Sequence, residues 1–360
     1  MKKPRKILII VQRSNGDVFL SIGLIKSIYK FYDSPQIDLL VNDDTFALAK
    51  LLPHVNHVYN FSYKKKSTNR WTQEKNIFFK IFRKYDLSIN LTSSDRSVLY
   101  AILASKKSIS VIEKDNKKSW WKQKLLSNFY FYDNTEHILI QNYTPLTLLG
   151  IKHDYFLHCV ENKIENIKNI RKKLDSKGIK NFIIFHPSAQ YHYKILPQIL
   201  RNKLLLNLSK LDVPIIITGS NNKIDLKIKN ELPSFNNVFD FIGDTTLEEY
   251  FALSELSLAY IGMDTLNMHI AAAQNKRIFV IFGPTNLKMW SPWSNALKKS
   301  AYLDMPFQTY SNITIFQADM KCVACGKSGC NNLGISECLN YISPKKISEE
   351  VGSWYKNDRL

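Results

Sequence analysis

Asp264, Thr265 and His269 lie close together in GMDTLNMHIAAAQ (262–274), between two short apolar runs. An acid, a hydroxyl and an imidazole at the start of an otherwise small, apolar helix suit the binding of phosphates, because a helix N-terminus offers unpaired N–H groups and the positive end of its dipole. If the helix begins near Thr265, the N–H groups of 265–268 and the Thr265 hydroxyl are expected to meet a diphosphate. Asp264 is then the cap and orienter, and His269, one turn in, a second donor. A capped helix that happens to contain a histidine accounts for the same residues without a ligand.

A second chemical position follows the first apolar run. In QRSNGDVFLSIG a single glycine, Gly16, precedes Asp17. A dinucleotide-binding turn needs G-x-G-x-x-G, and an acid at that helix start repels a pyrophosphate, which counts against a nicotinamide or flavin enzyme. Asp17 has two readings: a carboxylate favoured at a helix N-terminus, or a general base, with Gly16 letting an acceptor sugar come close. Further loops offer Ser188 and Lys194 in HPSAQYHYKILP, Gly219 in TGSNNK and Gly243 in IGDTTLEE. Of these, Ser188 and Lys194 carry the hydroxyl and the point charge suited to a phosphate.

Four of the five cysteines crowd into CVACGKSGCNNLGISEC: Cys322, Cys325, Cys330 and Cys338. C-x2-C with two further cysteines reads first as a structural zinc or iron site. The intervals of four and then seven residues match no standard zinc arrangement, and no metal is assigned.

These residues need a frame. Apolar runs at 6–11, 37–41, 57–61, 87–91 and 108–112, and again at 181–185, 213–219, 238–243, 258–262 and 277–283, read as buried strands. Helical patterns separate them, at 18–32, 44–52, 72–83 and 95–104 in the first half. Strand–helix alternation run through twice predicts an α/β protein of two doubly wound, Rossmann-like parallel-sheet domains facing a central cleft. The expected domains are 1–160 and 161–342, and a final segment, 343–360, has a helical pattern.

At 360 residues and 45% hydrophobic content the chain is long enough for two cores and is not disordered in composition. The net charge of +19 is uneven: residues 1–150 hold 24 Lys and Arg against 12 Asp and Glu. The first half is therefore the one suited to an anion. Within it, 62–70 and 113–132 mix lysine with aromatic residues, a pattern that fits an anionic membrane face or a solvated loop. No recognised nucleic-acid motif accompanies the charge, so no nucleic-acid partner is expected. No apolar run is long enough for a membrane span or a signal peptide, and a cytoplasmic protein is expected.

Several of these motifs in order resemble glycosyltransferase family 9, the bacterial heptosyltransferases of the lipopolysaccharide inner core. They are the early GD loop (16–17), HPSA followed by Lys and Pro (186–197), TGS, IGDTTLEE, and DTLNMHIAAA running into VIFGPTN and WSPW (264–293). The resemblance covers most of the chain and implies a GT-B fold in which 1–160 holds the acceptor, 161–342 holds the nucleotide sugar, and the final helix in 343–360 crosses back to the first domain. It also implies inverting, metal-independent transfer of heptose from ADP-heptose to an anionic Kdo–lipid A or heptosylated core acceptor, with no cofactor, at the cytoplasmic face of the inner membrane. By the same resemblance Asp17 is the base, Lys194, Asp264, Thr265 and His269 form the diphosphate set, and Gly243 and Gly283 lie in donor-side loops. The family places Gly after Asp-Thr, whereas this chain has Leu266, counted here among the donor contacts. Acceptor contacts are expected from Arg13, Ser14, Asn15, Gly16, Lys64, Arg70 and Arg96. The remaining alternatives are another nucleotide sugar, a protein acceptor, or a non-enzymatic basic protein that binds nucleic acid or a membrane surface.

Overall fold

The structure is a computed structural model that describes residues 3–64 and 66–357. Lys65, in the basic stretch 62–70, and residues 358–360 of the final segment lie outside the described residues. The chain divides into two compact units, residues 1–160 and 161–360.

The first unit runs β1 (Lys6–Val11), α1 (Asn15–Phe19), α2 (Ile22–Phe31), β2 (Gln36–Asn42), α3 (Phe46–Ala49), β3 (Val55–Phe61) and α4 (Lys66–Ile81). It continues with β4 (Leu87–Asn90), α5 (Asp95–Ala104), β5 (Ser108–Ile112), α6 (Asn116–Leu125), β6 (Asn128–Phe131) and α7 (Ile138–Leu148). Its sheet has the order β3-β2-β1-β4-β5-β6, with every pair parallel. β1 lies centrally and is buried from Ile7 to Val11, as a near-continuous apolar run must be when helices cover both faces. The single helix expected over 18–32 is two. Ser21 turns its hydroxyl back onto the Val18 carbonyl at 2.7 Å, and the chain re-enters a helix at Ile22. α2 is amphipathic, burying Ile22, Leu24, Ile25 and Ile28.

The second unit runs α8 (Ile164–Asp175), β7 (Ile183–His186), α9 (Gln198–Leu208), β8 (Ile215–Gly219), α10 (Lys223–Asn230), β9 (Val238–Ile242) and α11 (Leu247–Leu256). Next come β10 (Ala259–Met263), α12 (Leu266–Ala273), β11 (Arg277–Ile281), α13 (Leu287–Trp290), β12 (Phe307–Tyr310), β13 (Ile313–Phe316) and α14 (Pro344–Asn357). The order is β12-β13-β11-β10-β7-β8-β9, parallel except for the β12–β13 pair. The final helix falls where a helix is expected. α14 buries Ile347, Val351 and Tyr355 in the core of this second unit, and the Tyr355 hydroxyl donates to the Asp212 carbonyl at 2.8 Å. This apolar face packs where the strands of its own unit begin.

Candidate active site

The loop leaving β1 enters α1 with Ser14 at the N-cap. Asp17 reaches back to it: the Ser14 hydroxyl donates to Oδ2 at 2.6 Å, and the Ser14 N–H to the same oxygen at 3.2 Å. The other oxygen, Oδ1, lies 2.8 Å from Arg13 Nε. Burial alone would lower the Arg13 pKa, but Asp17, with Tyr132 and Tyr130 behind it, raises it. The guanidinium also lies over the Tyr132 ring, 5.5 Å from its centroid. The carboxylate thus holds the helix start, as the first reading expects, and is positioned by two neighbours. Arg13 and Ser14, expected at an acceptor, are turned onto Asp17, while Asn15 and Gly16 are the half-buried first residues of α1.

The other expected acceptor cations are spread over separate contacts. Lys64 is exposed in the turn after β3. Arg70 is exposed on α4, 3.9 Å from Glu74. Arg96, in the first turn of α5, stacks over Phe61 and Tyr63 at 3.8 and 4.8 Å from their centroids and hydrogen-bonds the Tyr63 hydroxyl. The basic, aromatic stretch 113–132 is only partly a surface feature. Lys122 is fully buried, 2.7 Å from both Asp95 and Glu113 and donating to the Ser93 carbonyl, and residues 128–131 form the edge strand β6. A buried ammonium survives only with such compensation, so Lys122 is lost to any membrane role.

In the second unit, Lys194 and Asp264 form the centre of the donor-side residues. Lys194 Nζ lies 2.9 Å from Asp264 Oδ1 and 3.0 Å from Oδ2, with the carboxylate nearly buried. Asp264 is therefore not the cap that the sequence suggests, because a buried carboxylate is drawn to the ammonium. Thr265 is the N-cap of α12, and its side chain makes no capping bond. Tyr260 donates to the Met263 carbonyl at 2.9 Å, and its hydroxyl is 3.5 Å from Thr265 Oγ1. The first turn of α12, with Leu266 at its first position, thus presents backbone N–H groups that no side chain caps, beside a lysine. His269 is buried further along the helix.

Around this turn the loops are fixed by residues that sequence reasoning passed over. His186 Nδ1 lies 3.0 Å from Thr218 Oγ1, and the Asn267 amide nitrogen is 3.1 Å from the same ring atom. Burial pushes the His186 imidazole down to about 4, against the pull of Asp225. Ser188, expected to meet a phosphate, instead hydrogen-bonds Asp225, which also accepts from the Ser220 N–H at 2.5 Å and from Asn222 at 3.1 Å. Asp225 thereby fastens the loops after β7 and β8 together. The Gly243 N–H donates to the Gly219 carbonyl at 3.0 Å, with Gly243 at φ +80°, so these glycines join neighbouring loops through their backbones. The Gly283 carbonyl accepts from Gln317 at 2.9 Å. The available signals were the His before Pro-Ser and the Asn one turn before the alanines, neither distinctive alone.

A sequence model of glycosyltransferase family 9 (heptosyltransferase) matches residues 79–309, well over half the chain. The chain belongs to glycosyltransferase family 9. This family 9 protein is 26% identical over 304 residues to lipopolysaccharide heptosyltransferase 3 of Escherichia coli, covering 82% of this chain and 89% of that one. Its structure is similar to that of E. coli ADP-heptose lipopolysaccharide heptosyltransferase II, with a TM-score of 0.71 at 17% identity, over 99% of this chain and all of that one. An E. coli heptosyltransferase solved with ADP aligns with a TM-score of 0.70 at 13% identity, over 97% and 99% of the two chains. The fold class is GT-B, and the protein is a glycosyltransferase.

Four of the five cysteines of this family 9 chain sit in the loop between β13 and α14. Cys322 and Cys325 are exposed, Cys330 is half-buried and Cys338 is buried. Burial, and then the nearness of Cys330, Cys325 and Cys322, push the Cys338 thiol up to about 11. Among the described residues no three His, Cys, Asp or Glu side chains are grouped to hold a metal ion. No described helix is long and apolar enough to cross a membrane.

Proposed function

We propose that the protein transfers heptose from ADP-heptose to the inner core of lipopolysaccharide or lipooligosaccharide, with inversion and without a metal. The observation that carries this reading is the Lys194–Asp264 pair at 2.9 Å beside the uncapped first turn of α12. An ammonium and a set of converging N–H groups form a site for the charge that builds on a departing diphosphate, the role a metal ion plays in other transferases. Asp264 sets the position of that ammonium, and Leu266 keeps the backbone N–H that a glycine would offer there while adding bulk.

In the proposed reaction Asp17 takes the proton of an acceptor hydroxyl as that oxygen bonds to the anomeric carbon, on the face opposite the nucleotide. The bond from the anomeric carbon to the diphosphate oxygen breaks, and its electron pair leaves with ADP. The transition state has oxocarbenium character, as in glycoside hydrolysis. Arg13 and Ser14 hold the Asp17 carboxylate in one orientation during this step. The heptosyltransferase names of the relatives and the ADP in a similar solved structure support the donor. Cytoplasmic action at the inner-membrane face, on Kdo–lipid A or a heptosylated core, belongs to the same reading.

The test is transfer from ADP-heptose to lipid A–Kdo acceptors truncated at different core sugars, comparing the native chain with Asp17→Asn. Product on one acceptor, reduced by about three orders of magnitude or more in the variant while ADP-heptose still binds, is the expected result. No product on any acceptor overturns the substrate assignment in favour of another donor or a protein acceptor. An undiminished variant removes Asp17 from the mechanism.

A further inference from the structure

In the first unit, the later turns of α2 and the extended segment 151–158 enclose an open groove of about 860 Å³. Its walls carry Lys26, Lys30 and Lys152 against one carboxylate, Asp154, and Phe31 and Phe156 stand 47% and 39% exposed beside them. Among the described residues none of the three lysines is held in an ion pair. That contrasts with Lys122 on α6, which is spent on two carboxylates.

The groove is built into the unit. Tyr143 of α7 passes over Gly23 of α2, where a Cβ would stand 1.8 Å from the Tyr143 hydroxyl oxygen. From there Tyr143 donates to the Phe156 carbonyl at 2.8 Å, fixing the segment that forms one wall. Ile151 and Leu157 are buried at either end of that wall, and His153 Nδ1 lies 3.0 Å from the Ile151 carbonyl. His158, on the same wall, is pushed down to about 4 by burial and by Lys26, so it adds no charge at neutral pH. The lysines are the groove's permanent cations.

We infer that this groove docks the protein on an anionic lipid surface, with the three lysines meeting lipid phosphates and Phe31 and Phe156 entering the interface. Charge complementarity names the occupant. Ammonium groups are spread along an open groove beside exposed rings, the combination that suits headgroups over an apolar layer. A small soluble phosphate suits the N–H groups of a helix N-terminus, whereas this groove is walled by the later turns of α2 and an extended segment. The inference concerns where the chain meets a membrane, so it holds whichever sugar is transferred.

Cosedimentation of the full chain with vesicles tests it, using phosphatidylcholine alone and equal parts phosphatidylcholine and phosphatidylglycerol. Binding to the second only, weakened by salt, is expected. Each lysine contributes about fivefold. Lys30→Glu therefore lowers vesicle affinity at least about fivefold, and Lys26→Ser/Lys30→Ser/Lys152→Ser about a hundredfold. Lys117→Ser/Lys118→Ser, on the exposed face of α6, leaves affinity unchanged. Lys30 is exposed, so Lys30→Glu decides the matter should the triple variant fail to fold. Equal binding by Lys30→Glu and the native chain, or loss caused by the α6 changes instead, overturns the inference. So does displacement from vesicles by inorganic phosphate that itself binds the groove, since the ligand is then a soluble phosphate.

Discussion

Lys194 and Asp264, an ion pair in the structure, are also the pair proposed to meet the diphosphate. The carboxylate is nearly buried, so removing its partner leaves a charge in a poor solvent. Lys194→Met is expected to lower stability by about 3 kcal/mol, and to weaken ADP at least tenfold, because the diphosphate then meets Asp264 with no cation between. The double variant Lys194→Met/Asp264→Asn separates the two effects: stability returns most of the way while ADP affinity stays low. Calorimetric titration with ADP and urea unfolding measure these. An ADP affinity that survives Lys194→Met would place the diphosphate elsewhere. Ser188 illustrates the opposite outcome, a hydroxyl with suitable chemistry and loop position that the fold spends on Asp225.

At the scale of elements, the longer buried strands were legible. β1 and β5 coincide with the apolar runs at 6–11 and 108–112, because a strand covered on both sides is mostly apolar, with Ser108 and Ser110 the buried exceptions in β5. β6, β12 and β13 were not foreseen. β6 and β12 are short edge strands with exposed or half-buried residues, and NFYF and FQTY carry no continuous apolar signal. β13, ITIF, is buried but is only four residues long. The candidate site was legible as residue types on loops. Which partner each would choose was not, because that depends on distances set by the sheet, as Asp264 turning to Lys194 shows. Packing between elements makes a further prediction at Gly262 of β10, where a Cβ would lie 2.5 Å from the His186 carbonyl oxygen of β7 and 2.8 Å from the Tyr260 hydroxyl. Gly262→Ala must push two paired central strands apart and is expected to cost about 3 kcal/mol. Gly243→Ala meets nothing nearer than 3.6 Å and suffers only its positive φ, at about 1 kcal/mol. Urea midpoints rank the two, and a Gly262 variant as stable as the Gly243 variant would contradict this packing.

For the whole molecule, pH acts on both units through histidines that the fold keeps neutral. Burial pushes His186 in the second unit and His158 in the first each down to about 4, from an ordinary value near 6.5. Between those values the unfolded chain binds protons that the folded chain does not, so stability falls as pH drops from about 6.5 toward 4 and this contribution levels off below it. The sign is opposite to that of a histidine that gains a carboxylate partner on folding. For His186 this makes the chain less stable at pH 5 than at pH 7.5. His158 is less deeply buried, so solvent screening reduces its share. Urea unfolding of the full chain at the two pH values measures the total, and His186→Gln should flatten the dependence, since glutamine can still reach Thr218 but cannot take up a proton in this range. Equal stability of the native chain at pH 5 and pH 7.5 would contradict the neutral assignment of both rings. His186 also contacts Asn267 in the first turn of α12. Protonation there disturbs the turn proposed to hold the diphosphate, so ADP affinity should hold as pH falls to about 5 and drop only as it approaches 4.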